Sequence, residues 1–115
     1  QLIIPVPLAV ERFRDRGFNQ AIEIGRIIEM RLGIPLRPDL ITRTRNTREQ
    51  TGLDSKARRK NVRGAFAISA KLPAKHIAIL DDVITTGSTA NELARLLRRA
   101  GAKHIAVWAV ARTPR

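Results

Sequence analysis

Ten consecutive residues carry the types that could do chemistry together: Leu80-Asp81-Asp82-Val83-Ile84-Thr85-Thr86-Gly87-Ser88-Thr89. The run Thr85 to Thr89 is small or hydroxylated throughout, so its backbone N–H groups can converge on one small space. Placed before a helix, such a bend cradles a phosphate monoester through those N–H groups and the helix dipole. Gly87 permits close approach or a positive φ. The hydroxyls of Thr85, Thr86, Ser88 and Thr89 add donors and acceptors. Asp81 and Asp82 would repel a bare phosphate. They fit a ligand that also offers hydroxyls or a divalent cation. A ribose 5-phosphate meets this pattern, with its phosphate in the bend and its vicinal diol on the carboxylates. Mg²⁺ could bridge ribose hydroxyls and a pyrophosphate while keeping most of its waters, so Asp81 and Asp82 are also indirect metal candidates. Blander readings compete residue by residue. Thr89-x-x-Glu92 is a capping box, Ser88 and Thr86 suit ordinary turns, and Asp81 suits a structural salt bridge. The uninterrupted run favours the phosphate site over the sum of those coincidences. No G-x-x-x-x-G-K-[ST] or G-x-G-x-x-G is present.

The elements that must position this bend are legible around it. Ile77 to Leu80 is apolar without alternation, as in a parallel strand buried on both faces. A loop is expected over Asp81 to Ser88. Ala90, Leu93, Ala94, Leu97 and Ala100 then mark the buried stripe of a helix that Gly101 ends. Ile105 to Ala111 reads as a second buried strand, completing a right-handed βαβ unit with Trp108 in its core. Upstream, residues 2 to 6 predict a short strand. Asn19 caps a helix to Leu32 whose stripe is Ala21, Ile24, Ile28 and Leu32, with Gly33 as its stop. Short strands are expected over Asp39 to Thr42 and Ala65 to Ile68, and Ser55 could cap a helix over Lys56 to Val62. His76 and His104 read as residues at strand starts. The whole is one small α/β domain, 1–115.

Charge narrows the partners. Lys and Arg number 22 against 10 Asp and Glu, a net of +12. This favours nucleic acid, acidic lipid or phosphorylated small molecules, although an arginine-rich composition alone could also produce it. Eight basic residues fall between Arg43 and Arg63, against Glu49 and Asp54. With no cysteine, the chain has no disulfide scaffold, thiolate zinc site or cysteine nucleophile. Four aromatics, Phe13, Phe18, Phe66 and Trp108, make a base-stacking platform a poor expectation. The longest apolar run, Ile105 to Ala111, is too short to cross a bilayer, and no signal-peptide pattern opens the chain. A start at Gln1 suggests a piece of a longer protein.

Residues Ile77 to Thr89, IAILDDVITTGST, resemble the signature of type I phosphoribosyltransferases. Val6-Pro7-Leu8, Arg16-Gly17-Phe18-Asn19-Gln20, Arg43-x-x-x-x-Thr47-x-x-Gln50-x-x-Leu53 and Arg59-x-Asn61-Val62-Arg63-Gly64-Ala65-Phe66 resemble the ComF competence family (GntX-like proteins) over nearly the whole chain. The resemblance implies a reduced phosphoribosyltransferase core, a mainly parallel sheet of about four to five strands flanked by helices. It implies phosphoribosyl pyrophosphate (PRPP) as ligand and Mg²⁺ as cofactor. Asp81 and Asp82 would be the catalytic pair at the ribose hydroxyls, and Thr85, Thr86, Gly87, Ser88 and Thr89 would hold the 5-phosphate. Pyrophosphate would meet the loop from Pro7 to about Phe18, with Arg12, Arg14 and Arg16 as candidates. A cationic lid over roughly Arg43 to Arg63 offers Arg45, Arg58, Arg59 and Lys60, and that block could equally grip a nucleic-acid backbone.

Further implications follow from the same resemblance. The family's N-terminal cysteine-bearing zinc module would lie outside this chain. The hood that selects an acceptor base is minimal or missing. The role implied is cytoplasmic, in DNA uptake and single-stranded DNA handling, without membrane insertion. Whether a phosphoribosyl group is transferred stays open. The alternatives are a nucleic-acid-binding module with a vestigial or regulatory PRPP pocket, and a nucleobase salvage enzyme. An exposed sheet edge leaves a homodimer open.

Overall fold

The computed structural model describes residues 1–7, 19–43, 64–69, 71–84 and 87–112. Their order is β1 (Leu2–Pro5), α1 (Gln20–Leu32), β2 (Ile41–Arg43), β3 (Phe66–Ile68), β4 (His76–Ile84), α2 (Ser88–Arg99) and β5 (His104–Arg112). β1, β4 and β5 form a parallel sheet with β4 in the centre, and β2 and β3 form a separate antiparallel ribbon. The chain at Leu36 adds a single parallel bridge to Ile3, fixed by Ile3 N–H to the Pro35 carbonyl and Arg37 N–H to the Ile3 carbonyl, both 2.9 Å. The α/β class expected from the sequence holds. Among the described residues the parallel sheet has three strands, not the four to five expected, and the other two form the ribbon.

The register sorts the side chains into two faces. Leu2 pairs with Ile77 and Ile77 with Ile105; Ile4 pairs with Ile79 and Ile79 with Val107. Leu2, Ile4, Ile77 and Ile79 pack with Leu93 and Leu97 of α2 and with Leu40, Ile41, Ala65 and Phe66 around the ribbon. Leu93 and Leu97 are fully enclosed, and burying each contributes about 1.5–3 kcal/mol. The opposite face holds Ile3, Ala78 and Leu80 and is covered by α1. The close approach occurs at Gly25: a Cβ there would stand 2.6 Å from Leu36 Cδ1 and 3.3 Å from Leu80 Cδ2.

Several expectations change here. The α1 stripe is centred on Ala21 and Gly25, with Ile24 and Ile28 half-buried, while Leu32 is 64% exposed. The missing side chain at Gly25 lets the helix sit down on that line, which turns Leu32 outward. Ala100 is the exposed C-cap of α2 and not part of its stripe. β5 has one neighbour strand among the described residues, so Trp108 is only half-buried and Val107 is 42% exposed. Residues 71–75 carry no helix or strand and lead into β4. The helix expected after Ser55 lies outside the described residues.

Capping matches the sequence closely. The Asn19 side chain accepts from Ala21 N–H at 2.9 Å and Ile22 N–H at 3.3 Å, and Gly33 closes the helix at φ 70°. Asn19 also donates through Nδ2 to the Val6 carbonyl at 3.1 Å, tying the helix start to the end of β1. On the surface, Arg37 hydrogen-bonds Asp39 and holds its carboxyl below the ordinary range. Any stability from that pair is present at neutral pH and lost as pH falls through the lowered value; an exposed pair adds little. Replacing Asn19→Ala removes a cap and a buried link together. It is expected to cost about 1–2 kcal/mol in urea unfolding; an unchanged midpoint would show that the cap contributes nothing.

Candidate functional site

The acidic pair lies on a strand. β4 runs through Ile84, so the expected loop from Asp81 is shorter than the sequence implied. Pairing with β5 carries the strand onward, Asp81 opposite Ala109 and Val83 opposite Ala111. This ladder overrides the poor strand propensity of aspartate. Both carboxylates are half-buried, and an Asp81 oxygen accepts the Asp82 N–H at 2.8 Å. Alternation along the strand gives them different faces. Asp81 shares the face of Ile77 and Ile79, toward α2, and Asp82 that of Ala78 and Leu80, toward α1.

The helix that follows starts unlike α1. Its N-cap is Gly87 at φ 82°, with no side-chain cap hydrogen bond and no acidic residue in the first turn. Asn91 N–H closes the turn on the Gly87 carbonyl at 2.8 Å. A helix N-terminus offers N–H groups and a positive dipole end, and here the cap residue brings no side chain and the first turn no carboxylate. Ser88 is buried and Thr89 half-buried, both in the first turn. Thr89 is therefore inside the helix, not at its cap. The need for glycine at position 87 is conformational: a Cβ would meet only Asn91 Nδ2, at 3.9 Å.

Glu92 carries a role the sequence did not disclose. It is buried, and its carboxylate accepts the Gly64 N–H at 2.9 Å and two bonds from Arg95 at 2.9 and 2.7 Å. The hydrogen bond and charge of Glu92 raise the Arg95 guanidinium above its ordinary value. Read as half of a capping box, Glu92 instead reaches across to the segment before β3. The only sequence signal was its place inside the buried stripe of α2, beside Leu93.

The connecting segments are all anchored near one edge of the sheet, at the carboxyl ends of β1 and β4. Val6 N–H donates to the Leu80 carbonyl at 2.9 Å, so residues 6 and 7 lie beside the acidic pair. Asn19 returns the chain to Val6. Arg43, stacked 4.7 Å over the Phe66 ring, donates to the Pro7 carbonyl at 2.7 Å. Gly64 is held by Glu92, one turn from Ser88. Pro7, Asn19, Arg43 and Gly64 are thus held in one neighbourhood. Thr85, Thr86, Arg12, Arg14, Arg16, Arg45, Arg58, Arg59 and Lys60 lie outside the described residues. In open α/β sheets, ligands bind beyond the carboxyl ends of the strands.

A conserved-domain comparison agrees with this geometry: residues 20–115 match the phosphoribosyl transferase domain. The chain belongs to that family. Within it, the chain is similar to competence protein F of Haemophilus influenzae, 42% identical over 97% of this chain and 50% of the relative. It is also similar to the DNA utilization protein YhgH of Escherichia coli O157:H7, 41% identical over 96% of the chain and 49% of the relative. Competence protein ComFC of Streptococcus pneumoniae is 29% identical over 95% and 47%. The chain spans about half the length of these relatives. It is a ComF-like member of the superfamily. Among the described residues no helix is long and apolar enough to cross a membrane.

Two substitutions test the local construction. Gly87→Ala places an L-residue in the left-handed region with room for its methyl, so it should cost about 1–2 kcal/mol from the backbone alone; a neutral result in thermal unfolding would remove the constraint. Glu92→Ala leaves the Gly64 N–H and Arg95 without their acceptor and should cost about 1–3 kcal/mol in chemical denaturation, with Glu92→Gln intermediate.

Proposed function

We propose that this chain binds PRPP at the carboxyl edge of its parallel sheet and serves in the handling of incoming single-stranded DNA. The observation that carries the proposal is the placement of the Asp81–Asp82 pair near the carboxyl end of the central strand, a few residues ahead of the glycine-capped start of α2. In this reading the 5-phosphate lies in the bend from Thr85 to Thr89, as an anionic partner for the helix N-terminus. Asp81 and Asp82 are the candidates for the ribose diol, and because they alternate across β4 one of them faces it squarely. The pyrophosphate turns toward the segment that leaves Pro7, where Arg12, Arg14 and Arg16 are its candidate partners. Arg45, Arg58, Arg59 and Lys60 are candidates to close over it and offset charge developing on a leaving group.

Mg²⁺ suits the donor set. Carboxylate oxygens are the ligands it prefers, and it keeps several waters when one or two carboxylates and a phosphate share it. Among the described residues no group of three His, Cys, Asp or Glu could enclose a metal unaided. Asp81 and Asp82 are the candidates to hold the ion indirectly, through its waters, and it would neutralise phosphate charge there. The protein's own residues orient the ribose and withhold water; no protein nucleophile is needed for substitution at ribose C1.

The DNA part of the proposal comes from the relatives, one named for competence and another for DNA utilization, and from the net charge of +12. The sequence holds no segment that reads as a hood for an acceptor base, and on that ground base-dependent release of pyrophosphate is not expected. The PRPP site is tested by calorimetry with PRPP and Mg²⁺. Asp82→Asn is expected to weaken binding at least tenfold, about 1.4 kcal/mol. Equal affinity in the variant would overturn the site assignment.

A further inference from the structure

The opposite end of the sheet is also cationic, and the PRPP site makes no use of it. β4 and β5 begin there with His76 and His104, paired in register, their ring centroids 4.5 Å apart and tilted by 36°. They are the only two histidines of the chain. The Lys75 carbonyl accepts the Lys103 N–H at 2.9 Å and the His104 N–H at 3.1 Å, which fixes the two lysine-bearing turns side by side. Arg98 and Arg99 end α2, joined to Lys103 by a tight turn in which Gly101 N–H meets the Arg98 carbonyl at 3.1 Å and Ala102 N–H the Leu97 carbonyl at 3.0 Å. Lys75, His76, Arg98, Arg99, Lys103 and His104 are all exposed.

No acidic residue accompanies these cations in the adjacent sequence. The sequence has no Asp or Glu from Ser69 to Leu80, or anywhere after Glu92. The two ion pairs among the described residues, Arg37–Asp39 and Arg95–Glu92, use none of these six side chains. Arg98 and Arg99 complement the carboxyl end of the α2 dipole. That accounts for two of the cations but not for the lysines that precede β4 and β5. Like charges gathered on three separate pieces of chain repel one another unless an anion relieves them.

We infer that this end of the sheet is a docking surface for the phosphodiester backbone of a nucleic acid. The inference deepens the DNA part of the proposed function and rests on it. The form of the surface selects the partner. The Lys103 and His104 N–H groups are already spent on Lys75, so there is no closed cradle for one phosphate. The cations lie along an edge, which suits an anion whose charges repeat along a chain. The exposed imidazole pair, its rings tilted to one another, sets π faces and ring N–H groups beside those charges. Arg43, where the basic block begins, and Gly64, just past its end, are held near the carboxyl edge, and the proposed function leaves that block to pyrophosphate.

The test uses the intact chain, a fluorescent single-stranded oligothymidylate, and the variant Lys75→Gln/Arg98→Gln/Arg99→Gln/Lys103→Gln, checked for folding by circular dichroism. Single-strand binding loses about 0.7 in the log–log salt slope per phosphate contact removed. The variant is therefore expected to flatten the slope by about 2–3 and to bind at least tenfold more weakly at low salt, with PRPP affinity unchanged. A wild type that binds the oligonucleotide and a variant that keeps its affinity and slope overturn this assignment alone. So does loss confined to Arg58→Gln/Arg59→Gln/Lys60→Gln, or binding only to anionic phospholipid vesicles. A wild type that binds no oligonucleotide at all overturns the DNA reading itself, while the PRPP calorimetry stands apart.

Discussion

β4 is hydrogen-bonded on both flanks, and this one constraint sets the position of everything at the carboxyl edge. Its ladder to β1 fixes Leu80 beside Pro5 and leaves the Leu80 carbonyl for Val6. Its ladder to β5 holds Asp81 opposite Ala109. A carboxylate on such a strand has little backbone freedom, so its ordering cost is met during folding and not on ligand binding. The apolar stretch Ile77 to Leu80 makes this possible, because its burial on both faces stabilises a strand long enough to carry two acidic residues beyond the core. Catalytic or binding groups on regular elements are held more closely than groups on loops.

The tethers around that strand follow a common logic. Asn19, Arg43 and Glu92 each spend a polar side chain on a backbone group remote in sequence: Val6, Pro7 and Gly64. Each bond brings the mouth of a connecting segment back to the same edge. Two of the three side chains are buried, where a hydrogen bond left unmade is costly. The fold thus commits buried polarity to gathering its connections, while its apolar core is divided simply between α1 on one face and α2 with the ribbon on the other.

Much of this was legible in the sequence because the signals were local. Asn19 and Gly33 bracket a helix by cap chemistry alone, and Leu93 with Leu97 marks the buried line of α2. The DDVITTGST run identified the family because its residue types are unusual in that order. What escaped the reading depends on partners distant in the chain. Asp81 and Asp82 look like loop residues until β5 is in place to extend the ladder. Trp108 looks like core until β5 proves to have one neighbour among the described residues. Leu32 fits the helical period, but the line of contact is chosen by Gly25, a residue that hydrophobic patterning ignores. Glu92 fits a capping box, and only the tertiary position of Gly64 reveals its other use. The residues outside the description, including Thr85 and the arginines of both basic segments, keep the standing their sequence gives them.

The length of β4 has a consequence of its own. Asp81 and Asp82 lie five and six residues along the strand from His76, about 17–20 Å at roughly 3.3 Å per residue. The two charged regions are therefore about two screening lengths apart at physiological ionic strength, where each is about 8 Å. Charge arriving at the histidine tip is felt only faintly at the aspartate tip. Occupancy at either tip is thermodynamically almost blind to the other, unless the strand itself shifts between its neighbours.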